Sequence, residues 1–165
     1  MRVGIGYDVH AFSEARPLIL GGVEVPHEAG LAGHSDADVL THALTDAILS
    51  AMREGDLGEH FPDTDPAYAG VRSVDLLGHV ARLLAERGWR VLDADTTLVL
   101  QLPKVAPYRQ RMRENLAAAL GVDVASVGVK ATTTEGLGFT GREEGVAAYA
   151  VVLLVRADAP SQVRG

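Results

Sequence analysis

The sequence predicts an α+β fold, with residues 1–156 forming a single domain around one mixed β-sheet whose helices pack on one face. Three observations carry this expectation. A chain of 165 residues has the size of one domain and can bury roughly 70% of the surface its unfolded form exposes. Its apolar periodicities run strands, helix, helix, strand, helix, strand, strand, an order that suits a mixed sheet with crossover helices. The last apolar run, Val146 to Val155, lacks the alternation of a half-exposed strand, so both of its faces need cover. Three helices blanket only one face of such a sheet, and the other is expected to meet neighbouring subunits.

Arg2 to Gly6 reads as the first strand, and Pro17 to Pro26 as a hairpin in which Gly21 and Gly22 supply positive φ. From Asp36 to about Met52, residues Leu40, Leu44, Ala47, Ile48 and Ala51 recur at helical spacing, with Ser35 or Asp36 as N-cap. Asp38 and Asp46 stand four residues either side of His42, so they are expected to share its helix face and orient its imidazole or touch a ligand. Gly55 to Tyr68 is dense in Asp, Gly and Pro and reads as a loop that can serve as a lid. A helix follows from Ser73 to Arg87, stopped by Gly88. Val91 to Gln101 reads as a strand, Val105 to Leu120 as a helix with Pro107 in its first turn, and Val127 to Ala131 as a strand. Residues 157–165 carry no motif and are expected to form a flexible tail.

A formal charge of −7 argues against a broad nucleic-acid or anionic-membrane footprint, which needs clustered Lys and Arg. Cysteine is absent, so disulfides, thiolate ligands and Cys nucleophiles are excluded and any metal must be held by N and O atoms. The opening residues lack a signal-peptide pattern and the longest apolar run is too short to span a bilayer. A protein of the cytoplasm is expected.

Asp8 and His10 lie two residues apart, so on an extended chain their side chains point to the same side. With His42 on the following helix they make a three-ligand set with an open position, as a catalytic zinc requires. The same set suits iron or manganese, and a capping Asp with two ordinary histidines would also satisfy the spacing. A second cluster, Lys130 to Arg142, lies where a strand gives way to a Gly-rich loop. Its backbone N–H groups, the hydroxyls of Thr132, Thr133 and Thr134, Lys130 and Arg142 suit phosphate oxygens, and Glu135 suits a hard cation. Lys104 follows a strand end, where α/β sheets often bind ligands. Asp56, Leu57, Gly58 and the run Phe61, Pro62, Asp63, Thr64, Asp65 offer groups suited to gripping a polyol. Gly4-x-Gly6 has Val9 where a third glycine belongs, so it is no dinucleotide fingerprint.

Over residues 1 to 156 these segments together resemble the 2-C-methyl-D-erythritol 2,4-cyclodiphosphate synthase family of the non-mevalonate isoprenoid pathway. The resemblance is carried by Gly6-Tyr7-Asp8-Val9-His10, Gly33 to Asp46, Phe61 to Asp65, Pro103-Lys104 and Lys130 to Arg142. It implies a phosphorus–oxygen lyase that closes 4-diphosphocytidyl-2-C-methyl-D-erythritol 2-phosphate into the cyclodiphosphate and releases CMP. It implies a homotrimer with active sites between subunits, zinc on Asp8, His10 and His42, and Mg²⁺ or Mn²⁺ on Glu135 bridging the substrate phosphates. His34 and Thr133 would stabilise the transition state. Ser35, Asp46, Asp56, Leu57, Gly58 and Phe61 to Asp65 would hold the methylerythritol phosphate. Leu100, Gln101, Leu102, Pro103, Lys104, Val105, Ala106, Ala131, Thr132 and Thr133 would hold the cytidine diphosphate, with Thr134, Phe139 and Arg142 as further substrate-binding residues.

The resemblance also implies a cavity on the trimer axis, bordered by Arg142 and Glu144, that accepts isoprenoid diphosphates. Glu143, where the family commonly has glycine, is expected to weaken anion binding there; Gly136 stands where lysine is common. From the residues alone, a phosphohydrolase using zinc-bound hydroxide, a trimeric ligand-binding protein and a non-haem iron oxygenase remain as alternatives.

Overall fold

A computed structural model of the chain describes residues 1–159. Seven strands and five helices follow in the order β1 (Arg2–Ser13), β2 (Leu18–Leu20), β3 (Val23–Val25), β4 (Gly30–Leu31), α1 (Val39–Met52), α2 (Leu57–His60), α3 (Ser73–Glu86), β5 (Trp89–Val99), α4 (Arg109–Leu120), β6 (Val127–Thr132), α5 (Gly138–Gly141) and β7 (Gly145–Arg156). The main sheet has the order β4-β1-β7-β5-β6, and β2 with β3 forms a separate hairpin. β5 and β6 are parallel while β7 runs antiparallel to both β1 and β5, so the mixed α+β sheet predicted from the element order is present. The greater part of the expected tail, residues 160–165, lies outside the described residues.

β1 places its residues by the two-residue period of a strand. Gly4 and Gly6 are buried toward the helices, whereas Val3 (66% exposed), Ile5, Tyr7 and Val9 face the other way. The glycines set how close α1 can lie. A Cβ on Gly4 would come 1.9 Å from the Ala47 carbonyl oxygen, and one on Gly6 would come 1.9 Å from that of Ala43. Close helix–strand packing is therefore the physical meaning of the Gly4-x-Gly6 motif. Leu40, Ala43, Leu44, Ala47 and Ile48 of α1 then fill the space over β1 and β7 with Ala148, Ala150 and Val152.

The opposite face of the sheet is uncovered in a single chain. Tyr149 and Val151 of β7 stand about half exposed beside Tyr7 and Ile5, their register partners, and the Tyr7 and Tyr149 rings lie 4.9 Å apart. The expectation that β7 has apolar side chains on both faces holds, with one face in the core and the other open.

Several boundaries differ from the expected ones. β1 continues to Ser13 because it pairs with β7 as far as Ala11 and with β4 at Phe12 and Ser13, which puts Asp8 and His10 inside the strand. α1 begins at Val39 with Asp38, not Ser35 or Asp36, as its N-cap. Asp38 is fully buried and accepts from Thr41 N (3.1 Å), Thr41 Oγ1 (2.6 Å), Gly21 N (2.9 Å) and Gly22 N (2.7 Å). It ties the hairpin turn to the start of α1, and so it neither orients His42 nor faces a ligand. Gly21 and Gly22 have φ of 56° and 68°, as the hairpin requires. Pro107 lies in a separate single-turn helix, Ala106–Tyr108, that precedes α4. α2 and α5 are single turns inside segments read as loops.

Candidate metal centre and two clefts

Asp8 and His10 project from β1 toward the N-terminal half of α1, where His42 meets them. His10 Nε2 and His42 Nδ1 lie 3.0 and 3.1 Å from Asp8 Oδ2 and 3.1 Å from each other. A tetrahedral zinc with bonds of about 2.0–2.1 Å places its ligand atoms about 3.3 Å apart. The triangle is nearly that size before any ion is added.

The outer ring nitrogens establish which atoms face the centre. His10 Nδ1 donates to the Ala32 carbonyl at 2.6 Å. His42 Nε2 lies 2.8 Å from Ser73 Oγ and 3.1 Å from Ser35 Oγ. Ser73 Oγ donates its own proton to Asp36 Oδ1, so it must accept from His42. With both rings neutral, their protons point outward and two imidazole lone pairs and a carboxylate oxygen converge on one point. Such a convergence calls for a cation, and these three residues can hold one divalent ion with their second-sphere partners in place. Burial pushes the Asp8 carboxyl upward, but the His10 and His42 rings, which donate to it from their inner nitrogens once protonated, outweigh burial and hold the group far below the usual carboxylate range. Burial pulls His10 downward, but the Asp8 hydrogen bond and charge and the Ala32 carbonyl raise it.

A cleft of ≈ 420 Å³ opens on this triangle, lined by His34, Ser35, Leu57, Gly58, Phe61, Pro62 and Asp63, with Gly33, Tyr68 and Leu76 completing it. His34 is exposed in its mouth and its Nε2 lies 3.1 Å from the Asp65 carbonyl. The Ser35 hydroxyl is turned inward to His42 and Ala37 N, which makes it a support of the metal centre. Asp46 accepts from Leu57 N at 2.7 Å and so anchors the start of α2. Asp56 and Asp65 cap α2 and the turn at Pro66–Tyr68, and with Thr64 they lie outside the cleft lining.

A second cleft of ≈ 180 Å³ is lined by Leu100, Gln101, Pro103, Lys104, Val105, Ala106, Ala131, Thr132 and Thr133, joined by Arg109 from the first turn of α4. Lys104 and Arg109 are its only charged lining residues, so it favours an anion. Leu102, Thr134, Glu135, Phe139 and Arg142 lie outside its lining. Thr133 Oγ1 donates to Glu135 Oε1 at 2.9 Å, and Glu135 is exposed beyond the end of β6. Thr134 donates to the Leu137 carbonyl and Arg142 pairs with Glu144 at 2.8 Å. Lys130 is corrected: its ammonium pairs with Asp95 on the open face of the sheet, which takes it out of the anion cradle.

The two clefts are distinct within one chain. Asp8 pairs with Ala148, Ala148 with Leu98, and Leu98 with Ala131, so Asp8 and Ala131 stand three strand spacings apart, about 14 Å.

A model of the YgbB family matches residues 1–155 of the sequence. The chain belongs to the YgbB family. It is 62% identical over 154 residues to the 2-C-methyl-D-erythritol 2,4-cyclodiphosphate synthase of Syntrophobacter fumaroxidans, covering 93% of this chain and 97% of that one. Its fold matches a 2C-methyl-D-erythritol-2,4-cyclodiphosphate synthase in its CDP-bound form, with TM-score 0.85, 42% identity and coverage of 93% and 100%. It also matches the bifunctional IspDF of Campylobacter jejuni, with TM-score 0.90 and 44% identity, over 94% of this chain and 42% of that longer one. Among the described residues no helix is long and apolar enough to cross a membrane.

The residues that sequence reasoning missed are Ser73, Arg16 and Arg109. Ser73 was visible only as a helix start, although a serine there has a hydroxyl free to turn back on the preceding loop. Arg109 sits five residues beyond Lys104, close enough to line the same cleft, but helix periodicity alone does not reveal that.

Proposed function

We propose that this chain performs, in the cytoplasm, the reaction for which its relatives are named. 4-Diphosphocytidyl-2-C-methyl-D-erythritol 2-phosphate is converted into 2-C-methyl-D-erythritol 2,4-cyclodiphosphate and CMP, in isoprenoid biosynthesis. The observation that carries this reading is the lone-pair triangle of Asp8, His10 and His42 at the floor of a cleft lined by His34, Gly58, Phe61 and Asp63. The CDP-bound relative supports a cytidyl diphosphate for the cleft of Leu100 to Ala106 and Ala131 to Thr133. None of the relatives named above is a phosphohydrolase.

In this mechanism an oxygen of the 2-phosphate attacks the β-phosphorus while the bond from that phosphorus to the oxygen of the α-phosphate breaks. CMP departs with the electron pair and no water is consumed. Asp8, His10 and His42 would hold a zinc ion and Glu135 an Mg²⁺ or Mn²⁺ ion; these would supply Lewis-acid stabilisation of phosphate charge. The chain's own groups fold the substrate so that the 2-phosphate reaches the β-phosphorus. His34 and Thr133 donate to oxygens that gain charge as the bond breaks, Gly58 and Phe61 to Asp65 hold the methylerythritol, and Lys104 steadies the nucleotide diphosphate. Phosphorus NMR of substrate with the metal-loaded protein should show the cyclic product and CMP in equal amounts. A linear phosphate product would overturn the reading.

The assembly in this reading is a homotrimer with each site shared by two subunits. The open apolar row of Val3, Ile5, Tyr7, Val9, Tyr149 and Val151 supports it, as do two half-clefts that one chain keeps apart. Sedimentation should give three times the 17.4 kDa chain mass; a folded monomer refutes it. An isoprenoid diphosphate on the trimer axis would meet Arg142 already paired with Glu144, beside the added charge of Glu143, so its binding is expected to be weak. Residues 1–156 are the functional domain in this proposal.

A further inference from the structure

Arg16 stands outside every motif above, yet it bonds to backbone that lines the metal-side cleft. Nη1 donates to the Gly33 carbonyl and Nη2 to the Ser35 carbonyl, so the guanidinium grips the backbone on both sides of His34. The His34 carbonyl points the other way and accepts from Gly70 N at 2.8 Å. The segment that carries His34 and Ser35 is therefore held from two sides.

Arg16 is itself held firmly. It follows Ala15 at φ 60°, a left-handed conformation that L residues adopt only when their surroundings impose it. Gly30 lies against the same turn so closely that a Cβ there would come 2.6 Å from the Arg16 carbonyl oxygen and 2.2 Å from that of Pro17. Among the described residues Arg16 has no carboxylate partner, so both of its terminal nitrogens are spent on the two carbonyls.

We propose that Arg16 is a positioning residue for the cyclisation. It fastens the Gly33–Ser35 backbone so that His34 projects into the cleft, while Ser35 Oγ stays 3.1 Å from His42 Nε2. A planar fork with two parallel donors can hold both carbonyls at once, which a lysine ammonium, a single point of charge, cannot do with the same geometry. This inference rests on the proposed reaction for its kinetic arm and on the structure alone for its exchange arm.

The test uses the zinc-loaded full chain with Arg16→Ala and Arg16→Lys; Arg16→Gln replaces the alanine variant if that one does not fold. Hydrogen–deuterium exchange should show peptides spanning residues 33–36 losing protection in Arg16→Ala, with β1 and β7 unchanged. In turnover, kcat is expected to fall about tenfold or more with KM altered less than about threefold, since a misplaced transition-state donor costs rate before binding. Arg16→Lys should recover part of kcat, and millimolar guanidinium should restore part of it to Arg16→Ala. Unchanged exchange over 33–36, or a rate loss that neither lysine nor guanidinium relieves, overturns the proposal. If the wild-type protein yields no cyclic product, the proposed function fails while the exchange result still judges Arg16.

Discussion

Gly6→Ala tests whether the close approach of α1 to β1 builds the metal centre. The added Cβ would begin 1.9 Å from the Ala43 carbonyl oxygen and 2.7 Å from Ala47 N, with backbone on every side. Ordinary contact starts near 3.4 Å, so helix and strand must separate by about 1.5 Å. Ala43 is the residue after His42, and Gly6 is two residues before Asp8, so the separation falls directly between the ligands. A triangle with 3.0–3.1 Å edges then opens by several times the roughly 0.2 Å that a metal site tolerates. Overpacking of this kind costs about 1–3 kcal/mol of stability. Metal content after dialysis against a weak chelator, measured beside a urea midpoint, reads both effects. Gly4→Ala provides the control: its clash is with Ala47, five residues and about 7.5 Å along the helix from His42, so it should cost similar stability but less metal. A Gly6→Ala protein with wild-type metal retention and urea midpoint would refute the reasoning.

Ser73→Ala removes the nearest acceptor of His42 Nε2–H and should weaken zinc about tenfold in a competition titration, leaving the fold intact. Asp46 is pushed above the usual carboxylate range by burial, with the charges of Asp56 and Asp8 adding to it and the Leu57 N–H opposing. Since its folded pKa exceeds the unfolded one, ionising it costs stability as pH rises between the two values. Asp46→Asn in metal-stripped protein should therefore gain relative stability from about pH 4 upward and match wild type below; a gap that is flat with pH contradicts this. His42→Ala and Glu135→Ala are each expected to be inactive, but trimers reassembled from an equal mixture should regain about a quarter of wild-type turnover, because one interface in four then joins two intact halves. No recovery would place both halves in one chain.

The sheet was legible because its evidence is periodic: β1, β5, β6 and β7 each carry apolar residues at strand spacing, and α1, α3 and α4 at helical spacing. The metal triad was legible for a local reason, since Asp8 and His10 need only an extended backbone to point together. The start of α1 was not, because three polar residues within one turn, Ser35, Asp36 and Asp38, can each cap a helix, and the sequence does not rank the last above the first two. Tertiary contacts decide among them: Gly21 and Gly22 donate to Asp38, Ser73 to Asp36, and Ala37 to Ser35, whose hydroxyl also lies beside His42. Lys130 was misread for the same reason, its neighbour Asp95 being on a strand that the sequence pairs with it only through the parallel register of β5 and β6.

In the proposed trimer the two clefts would give the assembly a chemical role beyond burying apolar surface. Ring closure needs the 2-phosphate and the β-phosphorus within bonding reach, so the substrate is bent when it reacts and its phosphates occupy one small volume. In the proposed reaction the metal triad and the Thr133–Glu135 corner would both border that volume, yet within one chain Asp8 and Ala131 are three strands apart with β7 and β5 between them. Reshaping a sheet fixed by ten register pairs between β1 and β7 is far costlier than docking a second copy. The uncovered row from Val3 to Val9 lies on the very strand that carries Asp8 and His10, so in the proposed trimer the contact that buries it would also determine where a neighbour's nucleotide cleft falls. In this arrangement subunit packing and catalytic geometry are one constraint, and variants that loosen the open face of β1 should lose turnover before they lose metal.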